Sequence, residues 1–331
     1  MRSREVFEYE LRPRIIAKDP DSNPAVLDAA GAALSRGLYG AKADDVRSRQ
    51  ALLFGWREVD YLTALLSDVV KDAEDAADAT AGVEALFTDK AKKALSVIRE
   101  SAGTLAAGLE AALFGRMVTS DPQANTDAAL HVAHAFTVHE QESETDYFTV
   151  VDDLKLRAKH EDSGSAGIFD TELTSGLYYG YVVVDIPLLV ANITGARPEA
   201  WSDSALDREL PAKVIEHLVH LVATVSPGAK KGSTAPYAFA NTVLLEAGSG
   251  QPRSLASAFE SPVRPPRGVS VSRAAETALL ERLRAVDRAY GGGESRRFLS
   301  LTSDAVDGLG EPCSIGQLAE WAAERVRSAT V

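Results

Sequence analysis

The sequence predicts an α+β protein in which a helical lobe is set against a strand-bearing core, and three observations lead there. Apolar residues recur at helical spacing through the first third of the chain, the period changes to two after Gly115, and a charged, glycine-containing insertion separates two strand-like runs. From Gln50 to Val70, Leu53, Trp56, Val59, Leu62, Leu65 and Val69 form an apolar stripe. Lys71 to Gly82, rich in Ala and Asp, reads as a solvated loop or frayed helix end. Periodicity resumes with Asp89 as a cap for a helix through Ala94, Val97, Ile98, Ala102, Leu105 and Leu109 towards Phe114.

Beyond Gly115, Leu130 to Val138 alternates as a strand would, and Gly176 to Ile186 supplies a second, β-branched and aromatic strand that Pro187 stops. The insertion between them, Glu140 to Glu172, suggests a projecting hairpin or arm. A helix is predicted over Pro211 to Val225, ended by Pro227 and Gly228. A strand over Tyr237 to Leu245, a helix near Ala274 to Tyr290 and a terminal helix over Ile315 to Arg325 complete the chain. The division that follows is a helical lobe over 1–115 and a strand-bearing core over 116–331, with the arm at 140–172 inserted in it.

The 331 residues suffice for one large or two modest domains. The single cysteine, Cys313, excludes an internal disulfide framework and fits a reducing cytoplasm. Arg2, Arg4, Glu5, Glu8 and Glu10 leave no room for the apolar core of a signal peptide. The longest apolar run, Tyr181 to Ile193, is too short to span a bilayer and is broken by Asp185 and Pro187, so no membrane partner is expected. Net charge is −13, unusual for a free-standing nucleic-acid binder. The distribution is uneven, however: Ser226 to Ser300 holds eleven Lys or Arg against six Asp or Glu, one locally basic region on an acidic protein.

No catalytic or metal constellation emerges. His131 and His134 would point to opposite faces of a strand, and His131 and His139 would stand roughly 26 Å apart along it at about 3.3 Å per residue. His217 and His220 share a helix face without a neighbouring Asp, Glu or Cys at a usual ligand spacing. No GxSxG motif occurs, and Cys313 has no histidine beside it in sequence. The paired acids Asp44–Asp45, Asp152–Asp153 and Glu161–Asp162 read as solvated charge, and Gly291 to Gly293 match neither a P-loop nor a dinucleotide fingerprint. The expectation is a protein that is not an enzyme and holds no metal or cofactor.

Several segments in series are more specific. Gly-Arg-Met-x-Thr-Ser at 115–120 precedes Ala-His-Ala at 133–135, and Asp-Tyr-Phe-Thr-x-Val-Asp-Asp follows at 146–153. TELTSGLYYGYVVVDI, VSPGAKKGST, AFANTVLLEAG and SLASAFESPV then occur in the same order to residue 263. From about residue 50 onwards this series resembles the Cas7 (CasC, Cse4) backbone proteins of type I-E CRISPR surveillance complexes, known as Cascade. The resemblance implies a right-hand-like architecture: a helical finger lobe, a modified ferredoxin-like (RRM-like) palm, and a thumb formed by the arm. It implies that Met117 and Phe148, with Val151, act as wedges against a CRISPR guide RNA. An apolar side chain between bases can interrupt stacking at a cost of a few kcal/mol per step.

Arg116, Thr119 and Ser120 around Met117, Thr149 beside Phe148, and Lys230 and Lys231 on a glycine-flanked loop are the implied partners for phosphate and sugar. In the family, copies join head to tail along one guide, and head-to-tail contacts that do not close give an open filament. The intervening bases are displayed for pairing with target DNA, and cleavage belongs to other subunits of the complex. The arm itself is acidic, with ten Asp or Glu against Lys155, Arg157 and Lys159, so most of it should not lie along phosphates. Family members usually open with a palm strand and a Lys- and Arg-rich Ser-Ser-Gln segment. This chain opens instead with MRSREVFEYELRPRI, as though inside the helical lobe, and residues 1–49 match only weakly. The palm also lacks the RNP1 aromatic motif of ordinary RNA-recognition domains, so base stacking on the sheet face is not expected. The alternative is a structural interaction protein that keeps the fold without gripping RNA.

Overall fold

The computed structural model describes residues 1–87, 94–103, 105–150, 167–226, 235, 237–292, 294–306 and 309–329. They divide into two compact units. One comprises Met1–His131, Val183–Leu218 and the chain from Trp321; the other comprises Val132–Val182 and Val219–Glu320.

The first unit is mainly helical. A two-residue strand β1 (Arg2–Ser3) and a π-helical turn at Phe7–Leu11 lead into α1 (Arg12–Lys18) and α2 (Pro24–Tyr39). Asn23 caps α2 through its side chain, which accepts from Ala25 N, with Pro24 at the first helical position. Gly31 is required by packing, since a Cβ there would fall 2.1 Å from the Phe7 ring. Strand β2 (Leu52–Leu53), antiparallel to β1, precedes α3 (Trp56–Asp72).

The face α3 buries is Glu58, Val59, Leu62, Thr63, Leu66 and Val70, one position removed from the stripe expected through Trp56, Leu65 and Val69. Trp56 stands 57% exposed, with the Arg14 guanidinium 5.2 Å from its ring centroid. The stretch Lys71 to Gly82, expected to be a solvated loop or frayed helix end, ends α3 at Asp72 and then enters α4 (Ala76–Ala85). Asp75 accepts from Ala77 N and Asp78 N, and Ala79 and Val83 are fully buried. The long helix expected to reach Phe114 is two helices, α5 (Ala94–Ser101) and α6 (Gly108–Phe114), and Asp89 lies outside the described residues. These helices enclose one apolar core, and α6 helps enclose a second with α7 (Ile186–Thr194), where Ala112, Ala129, Leu189, Val190 and Ile193 meet Ala212, Ile215, Ala323 and Val326.

Among the described residues the strands pair only in twos, so a ferredoxin-like sheet is not seen as a continuous surface. The strand expected over Leu130 to Val138 is broken into β3 (Leu130–Val132) and β4 (Phe136–Thr137), and the next into β7 (Tyr178–Tyr179) and β8 (Val182–Val184). Between them, β5 (Glu142–Val150) and β6 (Gly167–Ser175) form an antiparallel ladder of nine residue pairs. Helix α8 (Glu209–Thr224) is followed by β9 (Thr242–Ala247), α9 (Val271–Tyr290), β10 (Ser295–Ser300) and α10 (Ile315–Arg327).

In the second unit β9 pairs antiparallel with β10, with Phe298 buried at its centre. Phe136, Tyr179 and Phe259 form an aromatic cluster with ring centroids 5.5–6.4 Å apart. The Tyr179 hydroxyl accepts from Leu255 N at 3.0 Å. Glu246 of β9 and Asp287 of α9 share the guanidinium groups of Arg253 and Arg296. Buried Glu276 takes hydroxyl bonds from Thr242, Ser300 and Thr302.

Candidate nucleic-acid interface

The turn after α6 is fixed by its backbone before any side chain reaches out. Gly115 adopts φ +75°, and a Cβ there would fall 2.8 Å from Thr126 O, so no other residue fits without displacing that chain. Arg116 then bridges Thr126 through reciprocal backbone hydrogen bonds of 2.8 and 2.9 Å. Val118, fully buried, donates its N–H to Asn125 Oδ1 at 2.6 Å. Gln50 closes the loop from outside: its Nε2 donates to Met117 O at 2.7 Å, and its Oε1 accepts from Thr119 N and Thr119 Oγ1. Between these fixed neighbours Met117 stands 70% exposed.

An exposed methionine normally gains little from its position and is held there by nothing. Here its backbone is clamped on both sides while its side chain faces solvent. The turn therefore fixes where an apolar projection begins, while the side chain itself keeps its rotatable bonds.

The polar residues expected to grip phosphate are placed differently. Arg116 is buried, and its Nη1 lies 2.8 Å from Glu58 Oε1 and 2.9 Å from Oε2, both side chains being at most 2% exposed. Its Nε donates to Ala124 O and Nη1 also to Leu53 O. The guanidinium expected at the surface therefore organises the turn from beneath, because burying it demanded a buried carboxylate. Thr119 is exposed, but its hydroxyl hydrogen goes to Gln50, leaving the oxygen as an acceptor. Ser120 is half-buried beside Leu38 O.

In the second unit the β5–β6 ribbon carries Phe148 opposite Phe169, ring centroids 5.4 Å apart and planes at 22°. Both rings are about half exposed, at 45% and 49%. Successive residues alternate sides, so Glu144 and Asp146 share the face of Phe148 whereas Tyr147 and Thr149 lie on the other. Thr149 is exposed and pairs with Ile168. One face of the ribbon thus changes from acidic to aromatic along its length, and only the aromatic end suits bases. At the start of the arm the Arg264 guanidinium, hydrogen-bonded to Glu140, holds that carboxyl below the usual carboxylate range. Val151, Lys230 and Lys231 lie outside the described residues.

The histidines are accounted for locally or left apart. His139 Nε2 accepts from Leu177 N at 3.0 Å while its Nδ1 faces Glu140 O at 2.7 Å, which places the proton on Nδ1. Among the described residues no three of His, Cys, Asp and Glu converge as a metal shell. No helix among them is long and apolar enough to cross a membrane.

The sequence passed over Gln50, Glu58, Asn125 and Phe169. Gln50 and Glu58 carry no local signal, since each acts on a turn distant in the chain, whereas Asn125 closes the turn locally on Val118. Phe169 had one: it resumes the alternation of Phe148 on the returning strand.

The architecture is shared with known assemblies. One solved chain, from a CRISPR RNA-guided surveillance complex described as pre-nicking, superposes with a TM-score of 0.69 at 19% identity, covering 98% of this chain and 84% of that one. Another, from a CRISPR RNA-guided surveillance complex, gives 0.55 at 26% identity, covering 65% of this chain and 77% of the other. No curated protein matches the sequence. The family described as CT1975-like protein matches residues 1–322, and so takes in the opening 49 residues that motif comparison had left aside. The chain belongs to this CT1975-like family, a Cas7-like family of CRISPR proteins.

Proposed function

We propose that the chain is a non-catalytic, RNA-binding backbone subunit of a type I-E CRISPR surveillance complex, holding the guide and displaying it for pairing with target DNA. The observation that carries this reading is Met117, an apolar side chain 70% exposed on a turn fixed by Gly115, Val118 and Gln50. An exposed apolar side chain on a turn whose backbone is held in place can enter a base step and unstack it. The stacked Phe148–Phe169 pair offers a second projection of the same kind on the ribbon.

In this reading residues 1–115 serve as the finger lobe, 116–331 as a ferredoxin-like palm, and 140–172 as the thumb. Copies add head to tail along one guide in the cytoplasm, other subunits of the complex join them, and base pairing supplies all sequence discrimination. Lys230 and Lys231 carry the phosphate contacts that Arg116, committed to Glu58, does not make in this conformation.

Filter binding of guide RNA over a salt series tests the reading. Two unrelated guide sequences should bind alike, with log affinity falling linearly against log salt. Failure to retain either RNA at low salt would leave the interaction-protein alternative standing.

A further inference from the structure

The β9–β10 ladder is open along one side. Leu301 N donates to Asn241 O at 2.9 Å, which carries the ladder one pair beyond Ser300–Thr242 and fixes its phase. Successive residues of a strand turn their backbone groups to opposite edges, so Val243 and Leu245 face β10 whereas Thr242, Leu244 and Glu246 face away from it. The same phase turns Arg296 and Phe298 outward on β10, and there the edge is covered. Phe298 O accepts from Cys313 N at 2.7 Å, and Arg296 O from Arg297 Nη1 at 2.9 Å. On β9 it is not: the N–H and C=O groups of Thr242, Leu244 and Glu246 have no hydrogen-bond partner among the described residues, and no residue of the strand is buried.

A free strand edge is a template for pairing, and folded proteins normally blunt it with lysine, proline, a bulge or a covering loop. Thr242–Ala247 reads TVLLEA, with neither lysine nor proline, and its one charge, Glu246, is tied back to Arg253 and Arg296. Its register with β10 runs unbroken over six pairs, so no bulge turns the edge aside.

One face of the pair already packs against α9. The Thr242 hydroxyl bonds Glu276, Glu246 shares the Arg296 guanidinium with Asp287, and Phe298, opposite Leu244, is buried. A strand added at the free edge would gain main-chain bonds to three residues and set every second side chain on that packed face. It would also turn a two-stranded ribbon, marginal alone, into a three-stranded sheet.

We infer that β9 takes a further strand: an extended segment of another protein chain, apolar at alternate positions, paired through its backbone to Thr242, Leu244 and Glu246. A second copy could offer its own β9, but two such edges would pair antiparallel about a two-fold axis at Leu244 and close into a dimer. Head-to-tail addition does not use such a dimer, so setting the second copy aside rests on the function proposed above.

Fluorescence anisotropy of a fluorescein-labelled peptide, Lys-Thr-Val-Thr-Val-Thr-Val-Lys amide, titrated with the full-length chain freed of nucleic acid tests the inference, and is read apart from RNA retention. One saturable site is expected. Two further peptides, one N-methylated at its three valines and the other at its three threonines, should differ. Alternate residues of a paired strand turn toward and away from β9, so one set of methyl groups should weaken binding at least tenfold and the other leave it within twofold. Leu244→Pro, which removes an outward N–H and no bond to β10, should also weaken binding at least tenfold. If that variant does not fold, the methylated peptides on the parent chain decide. The inference is overturned if no saturable site is found, if both methylated peptides bind alike, or if folded Leu244→Pro binds as the parent does. It is overturned equally if the chain sediments as a dimer that Leu244→Pro splits, which would make a second copy the occupant.

Discussion

Arg116 and Glu58 meet as an ion pair at 2.8 Å in the interior of the helical unit, although they are far apart in sequence. The pair ties the start of α3 to the turn that carries Met117, and Glu58 also accepts from Gly55 N at 3.1 Å. A side chain that sequence reasoning would send to phosphate is thus part of the mounting of the turn.

Arg116→Ala should accordingly destabilise the protein by about 3–5 kcal/mol, because Glu58 would be left buried and unpaired. Removing both partners together should cost less than the sum of the single changes. Denaturant titration of the four proteins in this cycle measures the coupling. Unchanged stability with weakened RNA binding in Arg116→Ala would return the residue to the phosphate grip.

Met117→Ala should change stability by no more than about 0.5 kcal/mol, as expected for an exposed side chain away from the core. Thermal unfolding of the variant beside the parent checks this. A large loss would mean that Met117 packs against something in the native state.

The Phe148–Phe169 stack is expected to contribute about 0.5–1.5 kcal/mol to the order of the ribbon, since two-stranded ribbons are marginal alone. Phe169→Ala should loosen β5–β6 and impair the RNA geometry set by Phe148 while leaving the rest of the protein folded. Amide hydrogen exchange across Glu142 to Val150 is the readout, with faster exchange predicted there and no change in β9–β10.

Acid should release the β9–α9 tie. Asp287 is held below the usual carboxylate range, first by its hydrogen bonds from Arg296 at 2.6 and 2.8 Å and then by Arg253. A carboxyl lowered by folding adds stability that is complete above its unfolded value of about 3.9 and disappears as pH falls through the folded value. Asp287→Asn should therefore cost about 2 kcal/mol near neutrality, in keeping with a charged hydrogen bond. The gap between variant and parent, followed by thermal unfolding down the pH scale, should begin to narrow below about pH 4 and close as pH falls through the lowered folded value.

Much of the helical content was legible because apolar spacing survives in local sequence. Val59 and Leu62 mark α3 clearly, and Pro227 and Gly228 mark the end of α8 to within a few residues. The buried face of α3 was misjudged because Trp56 looks like core but is stacked beneath Arg14 at the surface. Helix α4 was missed since it needs only Ala79 and Val83 for contact, although Asp75 ahead of an Ala-rich run was a readable cap. The strands around Ala133 to Ala135 break where alternation promised continuity; pattern records which residues could share a face, not which strand will lie beside them. The proposed site divides the same way: motifs in series singled out Met117 and Phe148, both of which are exposed, whereas Gln50 and Glu58 act across distances no local pattern encodes.

The most direct trial of wedging uses guide RNA carrying 2-aminopurine at one position at a time, assembled with the protein and read by fluorescence, which rises where a base loses its stacking neighbour. The parent chain should give bright positions at regular intervals along the guide, and Met117→Ala with Phe148→Ala should flatten them while RNA stays bound. Uniform fluorescence with the parent protein, or a periodic pattern that the double variant leaves intact, would contradict the account.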